Sequence, residues 1–110
     1  MSNTKSEQIK EKIIRHIERT MTYCQQASHD DFFNNPMLQE ACILNVLQIG
    51  ELAAKAIEWG IDTQYPEIEW RQMRGMRNRI VHDYDGIRLE TVWETIHNDF
   101  PILLEKLKNE

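Results

Sequence analysis

Apolar residues in this chain recur at intervals of three and four over most of its length, the period of a helix packed along one face. Ile9, Ile13, Ile17, Met21 and Cys24 form the first such stripe, with Ile14 beside it and Lys, Glu and Arg filling the other side. Thr4-Lys5-Ser6-Glu7 reads as a capping box that starts this helix. Ser28-His29-Asp30-Asp31 ends it, and Phe32-Phe33 leads into a turn. Asn35-Pro36 then suits a helix start, with Asn as cap and Pro at the first helical position.

Leu38, Cys42, Ile49, Leu52, Ala53 and Ala56 make the second stripe, widened by Leu44, Val46 and Leu47. So broad a stripe predicts contact with more than one neighbour. Gly60 fits the C-terminal cap. Gly50 lies inside the helix, where glycine costs roughly 1 kcal/mol relative to alanine. A close approach of another helix would account for it.

The third helix is expected from about Pro66 to His82, with Ile68, Met73, Met76, Ile80 and Val81 facing inward and Trp70 nearby. Asp83-Tyr84-Asp85-Gly86 has turn composition. The fourth runs from about Leu89 to Lys108 through Val92, Trp93, Ile96, Phe100, Leu103, Leu104 and Leu107. Pro101 removes one backbone hydrogen bond there and should kink or break it near Phe100. Four helices on short loops predict a single all-α domain over residues 1–110, an antiparallel up-and-down four-helix bundle. Its broad stripes leave apolar surface for a homodimer.

With 41% apolar and 28% charged residues, the chain has the make-up of a globular protein rather than a disordered one. No apolar run approaches the roughly 20 residues of a membrane span. The polar start Met1-Ser2-Asn3-Thr4-Lys5 lacks a signal peptide's apolar core, so a cytoplasmic location is expected. Cys24 and Cys42 are expected as reduced core residues, and their spacing suggests no metal site. Net charge is −5, yet Arg71, Arg74, Arg77 and Arg79 lie in a stretch to His82 that holds no acidic residue. One basic segment on an acidic protein can direct a polyanion to a single place. The same arginines could equally form a solvated face with neighbouring carboxylates.

That segment also concentrates the reactive groups, in Arg77-Asn78-Arg79-Ile80-Val81-His82-Asp83-Tyr84. Arginine grips phosphate and histidine exchanges protons near neutral pH. At about 100° per residue, Arg77 and Tyr84 share a face, whereas His82 lies roughly 140° from Arg77. One chain converges them poorly. Two copies about a two-fold axis could bring two arginines and two histidines to a shared groove. RNA cleavage without a metal needs a base at the 2′-hydroxyl, an acid at the leaving 5′-oxygen and positive charge on the phosphorane. His82 could transfer the proton and Arg77 could neutralise the phosphorane. Asn78 could orient phosphate or imidazole, while Arg74 and Arg79 would hold the strand.

Plainer roles exist for each. A histidine at a helix C-terminus is often a cap, and a tyrosine is often a buried aromatic. Asp83-Tyr84-Asp85-Gly86 lacks the remaining ligands of a calcium loop. His16 and His29 read as surface residues and His97 as a helix-face residue, with no metal or triad spacing among them.

Arg77, four residues, His82, one residue and Tyr84 together resemble the signature of the HepT-like toxins of the HEPN superfamily. Trp70, Arg74-Gly75-Met76-Arg77-Asn78, the upstream Gln48-Ile49-Gly50-Glu51, and Trp93 followed by Pro101 extend the resemblance over nearly the whole chain. No departure from the motif is found. The resemblance implies a homodimeric HEPN-type helical bundle with its arginine–histidine motifs in a cleft at the dimer interface. It implies a metal-independent endoribonuclease without a cofactor, acting on RNA, with tRNA among the candidate targets. It further implies the toxin of a type VII-like toxin–antitoxin pair, neutralised when a cognate minimal-nucleotidyltransferase (MNT) antitoxin transfers AMP to Tyr84. The alternative is a non-catalytic helical module that binds nucleotide or a nucleotidyltransferase partner through the same basic segment.

Overall fold

A computed structural model describes residues 4–82 and 88–109, with the helical backbone alone for Val81 and His82. Among these residues every regular element is helical: α1 (Lys5–Cys24), α2 (His29–Phe33), α3 (Pro36–Glu58), α4 (Trp70–His82), α5 (Leu89–Glu94) and α6 (Phe100–Asn109). A 3-10 turn covers Ile61–Thr63, and a π-helical turn over Thr95–Asp99 joins α5 to α6. The all-helical class expected from the periodicity is what the chain adopts.

The helix ends follow local chemistry. The Thr4 hydroxyl accepts from the Glu7 N–H at 3.1 Å and starts α1. Asn35 Oδ1 accepts from the Leu38 N–H at 3.2 Å, with Pro36 opening α3. Side chains of this kind satisfy amide groups that the helix itself leaves unpaired, each contributing about 1 kcal/mol. Gly60 sits just beyond α3 with φ of 75°, a left-handed conformation that glycine adopts without strain.

α2 was not expected. The segment Ser28–Phe33 reads as a terminator, yet Ser28 and Asp31 form a reciprocal capping box that begins a five-residue helix. Phe32 from this helix is fully buried. The third helix also starts later than expected. Residues 64–69 form turns, in which the Trp70 indole N–H donates to the Tyr65 carbonyl at 3.0 Å, and α4 begins at Trp70. The fourth rod is divided where Pro101 foretold. Its break takes the form of a wider turn, with the Phe100 N–H reaching the Thr95 carbonyl five residues back. Pro101 thereby falls in the first turn of α6, where its missing N–H is tolerated.

α3 is the central element, packed against α1 on one side and α4 on the other. The core runs through Ile13 and Ile17 of α1, Cys42, Ile49 and Ala53 of α3, Met73 of α4, and Phe100 and Leu103 of α6. Each large apolar side chain so buried contributes about 1.5–3 kcal/mol. The broad stripe on α3 therefore has its explanation in two neighbours. No helix among the described residues is long and apolar enough to cross a membrane.

Candidate active site

Gly50 determines how closely α4 approaches α3. A Cβ built on Gly50 would collide with the Cβ of Arg77 and lie 3.0 Å from the Met73 carbonyl oxygen. Only a hydrogen at this position lets the α4 backbone come so near. The close approach inferred from an interior glycine is therefore found, and the helix it admits carries the arginine of the motif.

That contact places Arg77 beside the next residue of α3. One terminal nitrogen of the guanidinium, Nη1, donates to Glu51 Oε1 at 2.7 Å, and Nε donates to Asn78 Oδ1 at 2.9 Å. The Arg77 side chain is 22% exposed and that of Glu51 is 51% exposed. A pair this open to water contributes about 0–1 kcal/mol to stability, no more than the glycine costs the helix. What the arrangement supplies is orientation: two acceptors on different sides fix the plane of the guanidinium.

The four arginines of α4 separate into two kinds. Arg71 Nη1 bonds Asp62 Oδ2 at 3.2 Å, and Arg77 is held by Glu51, so two belong to charge pairs between elements. Arg74 is half-buried and Arg79 exposed; neither has an acidic partner among the described residues. These two arginines are those expected to hold a strand. His82 is the last residue of α4, five positions beyond Arg77, and only its backbone is described. Tyr84, with the turn expected at residues 83–86, lies outside the described residues.

Sequence reasoning passed over the acidic member of the site. Glu51 stands out in the sequence only within Gln48-Ile49-Gly50-Glu51, although an interior glycine followed by a carboxylate is a signal for a close, charged helix contact. The other histidines are more engaged than surface positions suggest. His16 is half-buried, its Nδ1–H donating to Asn45 Oδ1 at 2.8 Å. His29 stacks on Phe33 at 4.3 Å and meets Glu90 at 2.7 Å. His97 lies over Trp93 at 3.7 Å, and its Nδ1–H donates to the Trp93 carbonyl at 2.9 Å. Among the described residues no three His, Cys, Asp or Glu side chains converge as ligands for a metal ion.

Cys24 and Cys42, expected in separate stripes, meet with their sulfurs 3.6 Å apart in the core. The hydrogen bond from Cys42 holds the Cys24 thiol below its ordinary pKa against the opposing effect of burial. The same bond, reinforced by burial, pushes Cys42 far up.

Known proteins resemble the chain over most of its length. The family described as Ribonuclease HepT-like matches residues 13–110. A protein of Thermococcus cleftensis named probable ribonuclease HepT is 33% identical over 98 residues, covering 89% of this chain and 88% of its own. A protein of Caldanaerobacter subterraneus subsp. tengcongensis, named as a candidate RNase, is 29% identical over 98 residues, covering 89% and 87%. Another so named, from Methanocaldococcus jannaschii, is 32% identical over 89 residues, covering 81% and 76%. No solved structure matches the chain. With a family match across all but its first twelve residues and a relative 33% identical over 89% of its length, the chain belongs to the HepT-like ribonucleases of the HEPN superfamily.

Proposed function

We propose that this chain is a metal-independent endoribonuclease and the toxin of a type VII-like toxin–antitoxin pair. The observation that carries the reading is Arg77, a preoriented guanidinium four intervening residues ahead of His82, in a chain of a ribonuclease family. In the proposed reaction the 2′-oxygen attacks the adjacent phosphorus and gives up its proton to a base. The bond to the 5′-oxygen breaks, and that oxygen takes a proton from an acid. The products are a 2′,3′-cyclic phosphate and a free 5′-hydroxyl. His82 serves in proton transfer, a contribution of about 10²–10⁴-fold. Arg77 stabilises the charge that accumulates on the phosphorane, Asn78 supports it, and Arg74 and Arg79 bind the strand.

The working unit in this reading is a homodimer whose two motifs share one groove. Its support is the helical geometry, which separates Arg77 from His82 by roughly 140° within a chain. Exposed apolar side chains on α3 supply contact surface: Met37 is 83% exposed and Leu44 57%. The partner is a cognate MNT-type nucleotidyltransferase that transfers AMP to Tyr84. The added phosphate would stand where substrate phosphate belongs and quench the charge of Arg77.

Purified protein incubated with RNA and EDTA tests the reading. Cleavage leaving 2′,3′-cyclic phosphate ends, lost in a folded His82→Ala dimer, is the expected result. Undiminished cleavage by that variant would sink the assignment of His82. Tight RNA binding without cleavage by the wild type would make the chain an interaction module instead.

A further inference from the structure

Glu51 and Asn78 divide the guanidinium of Arg77 between them. Asn78 takes Nε, and Glu51 takes one N–H of Nη1. Among the described residues nothing is bonded to Nη2, so its two N–H groups and the second N–H of Nη1 are left for a ligand. One N–H from each terminal nitrogen can make an end-on fork, the arrangement in which arginine meets two oxygens of one phosphate.

We propose that Glu51 is a positioning residue for RNA cleavage, holding Arg77 so that it presents its Nη1–Nη2 end to the scissile phosphate. The proposal rests on the ribonuclease reading above and adds a residue to its machinery. Three features support it. Glu51 comes from a different helix than Arg77, so its grip ties the arginine to the α3 frame rather than to α4 alone. Gly50, immediately before Glu51, admits α4 to within reach of that carboxylate. Asn78 holds Nε, so the side chain cannot keep both contacts and turn its Nε–Nη2 edge fully to a ligand.

A carboxylate beside a phosphate site has an electrostatic cost, and this separates positioning from mere binding. Its negative charge repels the substrate, so Glu51 should not improve ground-state affinity. Its benefit must appear in the reacting complex, where a displacement near 1 Å can cost about 10²-fold. Removing Glu51 should therefore lower kcat and leave KM unchanged or reduced.

The test compares the full-length Glu51→Ala, Glu51→Gln and Arg77→Ala proteins and the Glu51→Ala/Arg77→Ala double variant, using a fluorogenic oligoribonucleotide. Glu51→Ala should lose about 10–100-fold in kcat without a rise in KM. Glu51→Gln, which keeps an acceptor oxygen, should recover part of that loss. In the Arg77→Ala background, Glu51→Ala should cost nothing further. A raised KM at unchanged kcat, or an equal loss on both backgrounds, would overturn the proposal.

A second readout needs no activity. In ¹⁵N-arginine NMR, the resonances missing from Arg77→Ala identify Arg77. Its two Nη groups should be distinct in the wild type through hindered rotation, and should merge in Glu51→Ala. Merged signals in the wild type would show that Glu51 does not hold the guanidinium. Distinct signals with no RNA cleavage would sink the ribonuclease reading, and the positioning role with it, while leaving the contact itself established.

Discussion

The Cβ of Arg77 fills the space that a side chain on Gly50 would occupy. The two helices at the centre of the fold thus meet at a residue expected to bind phosphate. Gly50→Ala should destabilise the protein by about 1–3 kcal/mol, because a methyl group there must push α4 outward. Urea unfolding measures this, and a parallel loss of RNA cleavage is expected as Arg77 moves from Glu51. Wild-type stability in this variant would show that the helices do not meet at Gly50.

Arg74 and Arg79, without acidic partners among the described residues, should act on binding rather than on the chemical step. Replacing either by alanine should weaken RNA affinity and flatten the dependence of log K on log salt by about one unit. Arg71→Ala should change that slope less, since Asp62 already offsets Arg71. Titrations at several salt concentrations separate the three.

Intact-mass spectra test the regulatory reading. Incubation with the nucleotidyltransferase and ATP should add mass in AMP steps to the wild type and none to Tyr84→Phe. The same additions on both proteins would reject Tyr84 as the acceptor.

The thiol pair carries a signed pH dependence. Cys24 is held below its ordinary pKa of 9.0, so approaching that value from below the unfolded chain binds more protons and stability rises with pH. Cys42 is pushed up from the same ordinary value, so beyond it the folded chain keeps a proton that the unfolded chain has lost, and stability falls. The stability of the wild type minus that of Cys24→Ala/Cys42→Ala should therefore peak near pH 9.0. A flat difference across this range would show that the thiols do not share a proton.

What the sequence disclosed was mostly local. Asn35, Pro36 and Gly60 act on groups within four residues, so their roles at the ends of α3 were legible. Ser28 and Asp31 are equally local, but a five-residue helix is shorter than any periodic pattern that would have marked it. Pro101 announced a break without its form, because a wider turn depends on what Thr95 and Ile96 pack against. The Glu51–Arg77 pair and the Cys24–Cys42 contact join residues 26 and 18 positions apart, and both depend on how α3 is rotated against its neighbours. Helical period gives the face of each helix, not the partner across from it. The interior glycine was the exception, since its cost required a neighbour even before that neighbour was known.

The wide turn at Thr95–Asp99 gives the last rod a break in rotational phase. Val92, Ile96 and Phe100 are buried before, within and after that turn. The wider turn shifts the face that follows it, so α5 packs on α2 and α3 while α6 packs on α1. α5 is thereby anchored to the helix bearing Gly50 and Glu51, and its angular setting need not be inherited from the chain's C-terminal end.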